Sequence, residues 1–350
     1  MAKKFILSVW ARPEILALSP YTSARDSFSA TDGEWVFLDA NENPNQSTVN
    51  RYPDPVQLQL KQVIANLRGC SVDQLLIGNG SDEILDLIFR AFCTPNKDEV
   101  ILMPPTYGMY AVLANINGVR ICEVPLTEDF QLAPDKILAA VTPNTKAIFL
   151  CSPNNPSGNL FNQEAIEELL NGFDGLVVID EAYIDFTNRP SWLTQLVNFN
   201  NLIVTQTLSK AFGLAGLRLG IAIAHPDIIK LLHKIKPPYN INTLSQQKAI
   251  EALSKKDIVA AQVKDLCSER DRIANQLKNI AWIKAIYPSD ANFLLVRVDD
   301  AHKRYDELLQ KQIVVRNRST QTNCENTLRI SIGTKEENEL LIAACNAIST

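Results

Sequence analysis

The sequence has few of the features that mark membrane, metal-binding or nucleic-acid-binding proteins. Its 350 residues contain no apolar run of about 18 residues, so we expect no membrane span. Only three histidines are present, and none of the seven cysteines lies within three residues of another, so we expect no metal site. Acidic residues (39) outnumber Lys and Arg (34), and a net charge of −5 argues against a nucleic-acid surface.

Patterns that direct secretion or form disulfides are also missing. The cysteines are scattered and odd in number, which is typical of reduced thiols in a cytoplasm-like compartment. A short apolar stretch after Lys4 runs directly into Arg12 and Pro13, which does not fit a secretion signal. We therefore expect a cytoplasmic protein.

The chain does contain an alternation of apolar runs and amphipathic segments between about residues 55 and 235. The apolar runs predict five strands, at 75–77, 99–103, 146–151, 175–179 and 201–205. Helices are predicted between them, for example at 82–92 and 163–170. Near-continuous apolar strands separated by helices are typical of a parallel sheet covered by helices on both faces.

The pattern changes after Pro238. A long helical stretch with a possible break is predicted from about 243 to 277, followed by mixed helices and strands. These strands are predicted at 291–298, 312–316 and 327–332. We therefore expect an α/β protein whose large domain, with a mostly parallel central sheet, spans 49–240, and whose smaller α+β domain is formed by 1–48 and 241–350.

Polar residues follow the ends of the predicted strands. Ligands bind beyond the carboxyl ends of strands in open α/β sheets, so we expect these residues to face one crevice. They are Gly80, Ser81, Asp82, Tyr107, Asn155, Asp180, Tyr183, Ser209 and Lys210.

Lys210 and Asp180 suggest what this crevice binds. A desolvated lysine has a lowered pKa and can form a Schiff base, although a lone lysine is more often a solvated surface residue. Asp180 can keep a pyridine nitrogen protonated, or it can simply cap a helix. Together the two residues favour pyridoxal 5′-phosphate (PLP), whose protonated ring acts as an electron sink.

The remaining groups suit the phosphate and the ring of such a cofactor. The turn 78–82 leads into a helix N-terminus with free N–H groups, although Ser81 can also be a simple cap. Ser209 and Arg218 add a hydroxyl and a cation, unless Arg218 makes an ordinary surface ion pair. Tyr107 is expected either to stack on the ring or to pack in the core.

Asn155 and Tyr183 can both form hydrogen bonds with the hydroxyl of the ring. For Asn155 the alternative is an ordinary turn residue.

Ten short motifs in a fixed order resemble the fold-type I PLP-dependent aminotransferases, from about residue 10 to 348. They are Tyr21-Thr-Ser-Ala-Arg25, Asn41-Glu-Asn-Pro44, Arg51-Tyr-Pro53, Gly80-Ser-Asp-Glu83, Pro104-Pro-Thr-Tyr-Gly-Met-Tyr110, Ser152-Pro-Asn-Asn-Pro-Ser-Gly158, Asp180-Glu-Ala-Tyr183, Thr207-Leu-Ser-Lys-Ala-Phe212, Gly216-Leu-Arg218 and Leu328-Arg-Ile-Ser-Ile-Gly333.

The resemblance implies a role for each matching residue. Lys210 is expected to bond to the cofactor, Asp180 to pair with the pyridinium, and Tyr183 to act beside them in catalysis. Other residues implied to contact the cofactor are Gly80, Ser81, Asp82, Tyr107, Asn155, Thr207, Ser209 and Arg218. Tyr52 matches a tyrosine that reaches the phosphate in a neighbouring subunit, which implies a homodimer.

The resemblance also implies a substrate. Arg329 resembles the arginine that holds the substrate anion, and Tyr21, Asn41 and Arg316 match further substrate-binding positions. For Arg316 an edge-strand solubility role is the alternative. The implied reaction transfers the amino group of L-histidinol phosphate to 2-oxoglutarate, giving imidazole acetol phosphate and glutamate, in histidine biosynthesis.

Four other functions are weighed against this one. An aromatic amino-acid aminotransferase or a threonine-phosphate decarboxylase of the same fold would keep Lys210, Asp180 and Arg218. A non-catalytic PLP-fold regulator is disfavoured because the sequence shows neither a DNA-binding module nor a basic tail. A nucleotide-binding Rossmann protein is disfavoured because no strand is followed by G-x-G-x-x-G.

Overall fold

The computed structural model describes residues 5–21, 35–45 and 47–348. Eleven strands occur in these residues, and they form two sheets. The strands of the larger sheet are β1 (Leu75–Asn79), β2 (Glu99–Leu102), β3 (Arg120–Glu123), β4 (Thr145–Cys151), β5 (Leu176–Asp180), β6 (Leu202–Thr207) and β7 (Leu219–Ala224). The strands of the smaller sheet are β8 (Ile283–Ile286), β9 (Phe293–Val298), β10 (Arg316–Asn317) and β11 (Thr327–Ser331).

Twelve α-helices occur in the same described ranges. They are α1 (Leu7–Trp10), α2 (Pro13–Ala17), α3 (Leu58–Arg68), α4 (Ser81–Phe92), α5 (Met109–Ile116), α6 (Pro134–Ala139), α7 (Gln163–Gly172), α8 (Pro226–Ile235), α9 (Thr243–Leu253), α10 (Lys256–Leu277), α11 (Ala301–Gln310) and α12 (Lys335–Ala347). No helix in the described ranges is long and apolar enough to cross a membrane.

The larger sheet has the order β1-β7-β6-β5-β4-β2-β3. All its strands run in one direction except β7, which pairs antiparallel with both β1 and β6. The predicted mostly parallel sheet is therefore confirmed. All five predicted strands are present within two residues at either end, whereas β3 and β7 were not predicted.

Both faces of the larger sheet are buried, and alternate residues of each strand serve opposite faces. On β5, Val177 and Ile179 join a core with α3, α7 and α9 on one side, while Leu176 and Val178 join a core with α4, α5 and α8 on the other. All four side chains are fully buried. This explains why the strand reads as a continuous apolar run in the sequence.

The smaller sheet is antiparallel and packs against α11, α12 and the end of α10. The helical stretch predicted at 243–277 is present as α9 and α10, with its break at residues 254–255. The strand predicted at 312–316 is wrong, because the chain turns at 311–312 and β10 begins only at Arg316.

The two sheets lie on either side of residue 240 in the chain. Helices α1 and α2 pack against the larger sheet, where Ala11 is buried in the same core as α4. Helix α9 also packs on that sheet, through Ala249 and Leu253. The domain bounds 49–240 and 1–48 with 241–350 stay a prediction.

Candidate active site

One cavity of about 460 Å³ lies at the carboxyl edge of the larger sheet and is closed on one side by the smaller sheet. Thirteen of the sixteen site residues predicted from the sequence line it. They are Gly80, Ser81, Asp82, Tyr107, Asn155, Asp180, Tyr183, Thr207, Ser209, Lys210, Arg218, Arg316 and Arg329. Cavities of this size are typical of small-molecule sites.

The direction of the strands explains why these residues meet. Asp180 ends β5, Lys210 follows β6, and Ser81 follows β1, and these three strands run in the same direction. Strand β7 runs the opposite way, so its first residue lies at the same edge. Arg218, immediately before β7, is thereby placed in the cavity.

Asp180 is buried, with only 2% of its surface exposed. Its Oδ2 accepts a hydrogen bond from the Tyr110 hydroxyl at 2.9 Å, and its Oδ1 accepts one from the backbone N–H of Ala182 at 3.1 Å. Burial raises the pKa of Asp180 to about 6, although both hydrogen bonds act against this shift. No ion pair to Asp180 is present in the described part of the chain. This fits a carboxylate that receives its positive partner from a ligand.

Lys210 projects into the same cavity, with its Nζ 5.7 Å from the centre of the Tyr183 ring. The residue is exposed because the cavity is open, but the ammonium end of the side chain is desolvated by the walls. Desolvation lowers the pKa of Lys210, repulsion by Arg329 lowers it further, and the Asp180 carboxylate acts in the opposite direction. A lowered pKa increases the fraction of neutral amine, which is the nucleophilic and basic form.

The N-terminus of α4 forms one end of the cavity. Gly80 has a φ of 81°, and a Cβ at this position would lie 2.7 Å from Nη2 of Arg218. The backbone N–H of Gly80 donates to the Arg218 carbonyl at 2.8 Å. Only glycine therefore allows the guanidinium to lie against this turn. The helix N-terminus and Arg218 together form a site suited to phosphate.

Asp82 was predicted to bind the phosphate, and the structure shows how its carboxylate is used. It accepts a hydrogen bond from the Tyr107 hydroxyl at 3.1 Å and lies 3.9 Å from the Arg218 guanidinium. A carboxylate repels a phosphate, so only the backbone N–H of Asp82 is suited to bind one. The side chain orients Tyr107 and Arg218.

The side chain of Thr207 likewise forms hydrogen bonds with neighbouring backbone groups of the protein. Its hydroxyl donates to the carbonyl of Leu219 at 3.1 Å and accepts from the backbone N–H of Ser209 at 3.1 Å. These bonds join the end of β6 to the start of β7. They fix the turn that carries Ser209 and Lys210.

The opposite end of the cavity is formed by arginines of the smaller sheet. Arg316 on β10 and Arg329 on β11 are directly paired across the two strands. The Arg329 Nη1 donates to Oδ1 of Asn155 at 2.5 Å. Its guanidinium also lies 5.3 Å from the centre of the Phe293 ring. Because Asn155 accepts through Oδ1, its Nδ2 is the atom that can donate to a ring oxygen of a ligand.

Three predicted site residues lie outside the cavity of the single chain. Tyr52 and Asn41 line a separate surface depression, where Tyr52 is half exposed and stacks on Tyr239 at 4.5 Å between ring centres. Tyr21 is 72% exposed. The rest of the motif that begins at Tyr21, residues 22–25, lies outside the described residues.

Three residues that sequence reasoning did not assign also belong to this site. Tyr110 is fully buried and holds Asp180, while Arg318 and Gln321 line the cavity beside Arg316. A signal for Tyr110 existed, since it lies only three residues after Tyr107, and the two rings contact each other at 5.5 Å between centres where the loop leads into α5. Arg318 is two residues from Arg316, which places both on one face of an extended segment.

Taken together, the residues fit a flat, positively charged ring that carries a phosphate. Asp180 is suited to a protonated ring nitrogen, and Tyr107 is suited to stack on the ring, with Ser81, Ser209 and Arg218 around a phosphate. Among the residues that line the cavity, Lys210 supplies the amine that an aldehyde on such a ring would require.

The model of the family described as aminotransferase class I and II matches residues 34–345. A histidinol-phosphate aminotransferase of Christiangramia forsetii is 55% identical over 342 residues, covering 98% of each chain. A histidinol-phosphate aminotransferase of Flavobacterium johnsoniae is 54% identical over 339 residues, covering 97% of each chain.

Solved structures give the same result for the fold. The histidinol-phosphate aminotransferase of Sinorhizobium meliloti, solved in complex with pyridoxal-5′-phosphate, has a TM-score of 0.78 and 26% identity, covering 85% of this chain and 84% of that one. The resemblance to fold-type I aminotransferases that the motifs indicated is thereby confirmed. The chain belongs to the class I and II aminotransferases and, within them, to the histidinol-phosphate aminotransferase family.

Proposed function

We propose that this protein transfers the amino group of L-histidinol phosphate to 2-oxoglutarate, producing imidazole acetol phosphate and glutamate, as a step of histidine biosynthesis. The observation that carries the proposal is the identity of 53–55% to histidinol-phosphate aminotransferases of three organisms over nearly the whole chain. The cavity supports it, because it combines a reactive lysine with arginines suited to an anionic substrate.

The cofactor is pyridoxal 5′-phosphate. When bound, it supplies a protonated aromatic ring that accepts the electron pair left when the bond between hydrogen and the amino-bearing carbon breaks. Ser81, Ser209 and Arg218 are the residues that would hold its phosphate. Asp180 would hold the ring nitrogen, and Asn155 with Tyr183 would hold the ring hydroxyl.

Lys210 moves the proton. Its neutral Nζ takes the proton from the substrate carbon that bears the amino group, and the resulting ammonium later returns a proton. The base must be neutral at the start, which the lowered pKa of Lys210 favours. Arg329, whose charge contributes to that lowering, thus helps both to hold the substrate anion and to keep the base neutral.

Asp180 must be ionised to hold a protonated ring nitrogen. Burial raises its pKa to about 6, although the hydroxyl of Tyr110 and the N–H of Ala182 stabilise the carboxylate and act against this shift. A cationic ring adds an opposite charge and favours the ionised form further. Tyr110 is therefore a positioning residue for Asp180.

A spectrum and an assay test the proposal together. Purified protein supplied with PLP should absorb in the visible range, and reduction with borohydride followed by peptide mapping should tag Lys210. Coupled assays should then give the highest kcat/KM with L-histidinol phosphate among that substrate, phenylalanine and threonine phosphate. A protein that stays colourless would refute the cofactor assignment, and histidinol phosphate as the poorest substrate would refute the substrate assignment.

We also propose a homodimer in which Tyr52 reaches the cofactor phosphate of the neighbouring subunit. Two features support this. Tyr52 is half exposed and stacks on Tyr239, and the exposed apolar residues Val49 and Leu244 line the same depression, while Val56 and Leu58, close to Tyr52 in the chain, are also exposed. Such a surface is unusual for a face that stays in water.

Mixed variants test the shared site. If Tyr52 serves the partner, exchange between Lys210→Ala and Tyr52→Ala subunits creates hybrid dimers with one intact site. Equal mixing should then restore about a quarter of wild-type activity, because half the dimers are hybrids and each has one working site of two. Activity no higher than the mean of the two separate variants would contradict the shared site.

A cytoplasmic location is part of the same proposal. All seven cysteines are free thiols, and four of them are buried. Reduced thiols of this kind are typical of a reducing compartment. Comparing the activity of cell fractions tests it.

A further inference from the structure

Three arginines lie on one face of the smaller sheet at the mouth of the cavity. Arg316 on β10 is paired with Arg329 on β11, and the backbone N–H of Arg318 donates to the carbonyl of Thr327 at 2.9 Å, which continues the same pairing. Residues two apart in an extended segment point to the same side. All three guanidiniums accordingly line the cavity.

These arginines have no acidic partner within the described residues. Elsewhere, the buried Arg304 and the half-buried Arg68 are each paired with a carboxylate at 2.6 Å, with Asp299 and Asp185 respectively. In the cavity, the buried Nε atoms of Arg318 and Arg329, like that of Arg68, have no hydrogen-bond partner in the described part of the chain, and no carboxylate compensates the charge of Arg318 or Arg329 there. Like charges placed across a strand pair repel each other, so the cluster requires an anion.

Arg318 differs from Arg329 in its charged neighbours. The charge of Arg329 lowers the pKa of Lys210, whereas the pKa of Arg318 is lowered by desolvation and by the charges of Arg329 and Arg316. Arg329 is thus the arginine beside the reacting amine, and it is held there by Asn155. Arg318 lines the same cavity two residues along the strand from the pair of Arg316 and Arg329, beside Thr327.

The number of charges indicates which anion belongs there. A carboxylate carries one negative charge and is satisfied by a single bidentate guanidinium. A phosphate monoester carries close to two negative charges at neutral pH and has three acceptor oxygens. Several unpaired guanidiniums on one face match the phosphate better than they match a carboxylate.

We infer that Arg318 binds the phosphate of the substrate and gives the enzyme its preference for a phosphorylated amine over an unphosphorylated one. This inference rests on the proposed function. It assigns Arg318 to substrate specificity, in addition to the residues expected from the motifs, and it leaves the proton transfer to Lys210.

Steady-state kinetics of the holoenzyme test the assignment with three amino donors: L-histidinol phosphate, L-histidinol and L-glutamate. For Arg318→Gln, the ratio of kcat/KM for L-histidinol phosphate to that for L-histidinol should fall about 10- to 100-fold, mainly through KM, as expected for the loss of one charged hydrogen-bond donor. Arg318→Lys should recover part of this ratio, because it keeps the charge and loses the fork of donors.

A matched control is Lys311→Gln. It removes one positive charge from an exposed position at the end of α11, outside the cavity, and should leave the ratio unchanged. A change in the ratio equal to that of Arg318→Gln would overturn the assignment, because it would show a general effect of net charge.

Binding gives a second measurement that does not depend on turnover. Inorganic phosphate should inhibit wild-type holoenzyme competitively against L-histidinol phosphate, and Arg318→Gln should raise its inhibition constant by a factor similar to that for KM. Equal losses of kcat/KM for all three donors would overturn the inference while leaving the proposed function intact. A wild-type enzyme that does not accept L-histidinol phosphate would instead refute the proposed function.

Discussion

Replacing Asp180 with asparagine should stabilise the protein without its cofactor while it removes the activity of the complete enzyme. Asp180 is 2% exposed and has no cationic partner in the described part of the chain. Asparagine has nearly the same shape and carries no charge. Its Oδ1 can still accept from the N–H of Ala182, and its Nδ2 can donate to the hydroxyl of Tyr110, which can reverse its direction.

The size of the effect follows from the pKa of Asp180, which is raised from 3.8 to about 6 by burial. A raised carboxyl pKa means that the folded state binds the proton more tightly than the unfolded state. The folded protein is then relatively most stable below about pH 4 and loses this stability as the pH rises through about 6. At 1.36 kcal/mol for each pH unit, the cost above pH 7 is about 3 kcal/mol.

The assay is equilibrium unfolding of the cofactor-free protein by urea at pH 5 and at pH 8. Asp180→Asn should exceed the wild type in free energy of unfolding by about 3 kcal/mol at pH 8 and by roughly half of that at pH 5, where the carboxyl is mostly ionised in the unfolded state and mostly protonated in the folded state. Asp306→Asn, an exposed acid on α11, is the control and should show no such dependence on pH. A gain that is the same at both pH values, or a loss at pH 8, would refute the reasoning about the buried charge.

Three further substitutions test other parts of the structure. Lys210→Ala should lower the rate of amino transfer by at least about 10²- to 10⁴-fold in single-turnover assays, while urea unfolding of the variant stays cooperative. Tyr110→Phe removes one hydrogen bond from Asp180 and should raise the pKa of Asp180. In titrations with PLP at several pH values, the increase of cofactor affinity with pH should therefore move to higher pH. An unchanged pH profile would contradict the role of Tyr110. Arg304 lowers the pKa of Asp299 to about 2. Asp299→Asn should therefore lower the free energy of unfolding, measured with urea, by about 1 kcal/mol at pH 7. At pH 2 the substitution should have almost no effect, because the stabilising charge of Asp299 is lost as the pH falls.

The sequence was most informative where a buried strand ends in a polar residue. On β5, four fully buried residues precede Asp180, and the contrast is visible without any structure. The same contrast marks Lys210 after β6 and Ser81 after β1. Parallel strands bring their carboxyl ends to one edge, so residues far apart in the chain could be assigned to one cavity from local patterns alone.

Strand β7 shows where that reasoning stopped. Its residues, Leu219–Ala224, include glycine and alanine, which have low strand preference. The sequence therefore did not predict a strand at this position. Its direction is set by pairing with β1 and β6, which no local pattern encodes. Arg218 was therefore expected in the site from the resemblance, while the reason that it reaches the site became visible only in the sheet.

Tyr110 and Arg318 show a second limit. A buried tyrosine can either fill the hydrophobic core or hold a functional carboxylate, and which of these it does depends on the residue that its hydroxyl contacts. For Tyr110 that residue is Asp180, on a strand 70 residues later in the chain. The cluster of Arg316, Arg318 and Arg329 depends on the register of β10 and β11, and a shift of one residue would point these side chains to the other face. The register between two strands is determined by the packing of the whole sheet, so a short sequence pattern cannot predict it.

The charges of the cavity are kept apart, and this separation has a consequence for function. Asp180 lies on the larger sheet and the three arginines on the smaller one, and none of the three forms an ion pair with Asp180 in the described part of the chain. If they met, they would form an internal ion pair, and both ends of the site would lose their attraction for a ligand. Because each sheet holds its own charge in place through its core, the cavity keeps an unpaired carboxylate at one end and unpaired guanidiniums at the other. A positively charged ring and a negatively charged substrate group can then bind together, with Lys210 between them.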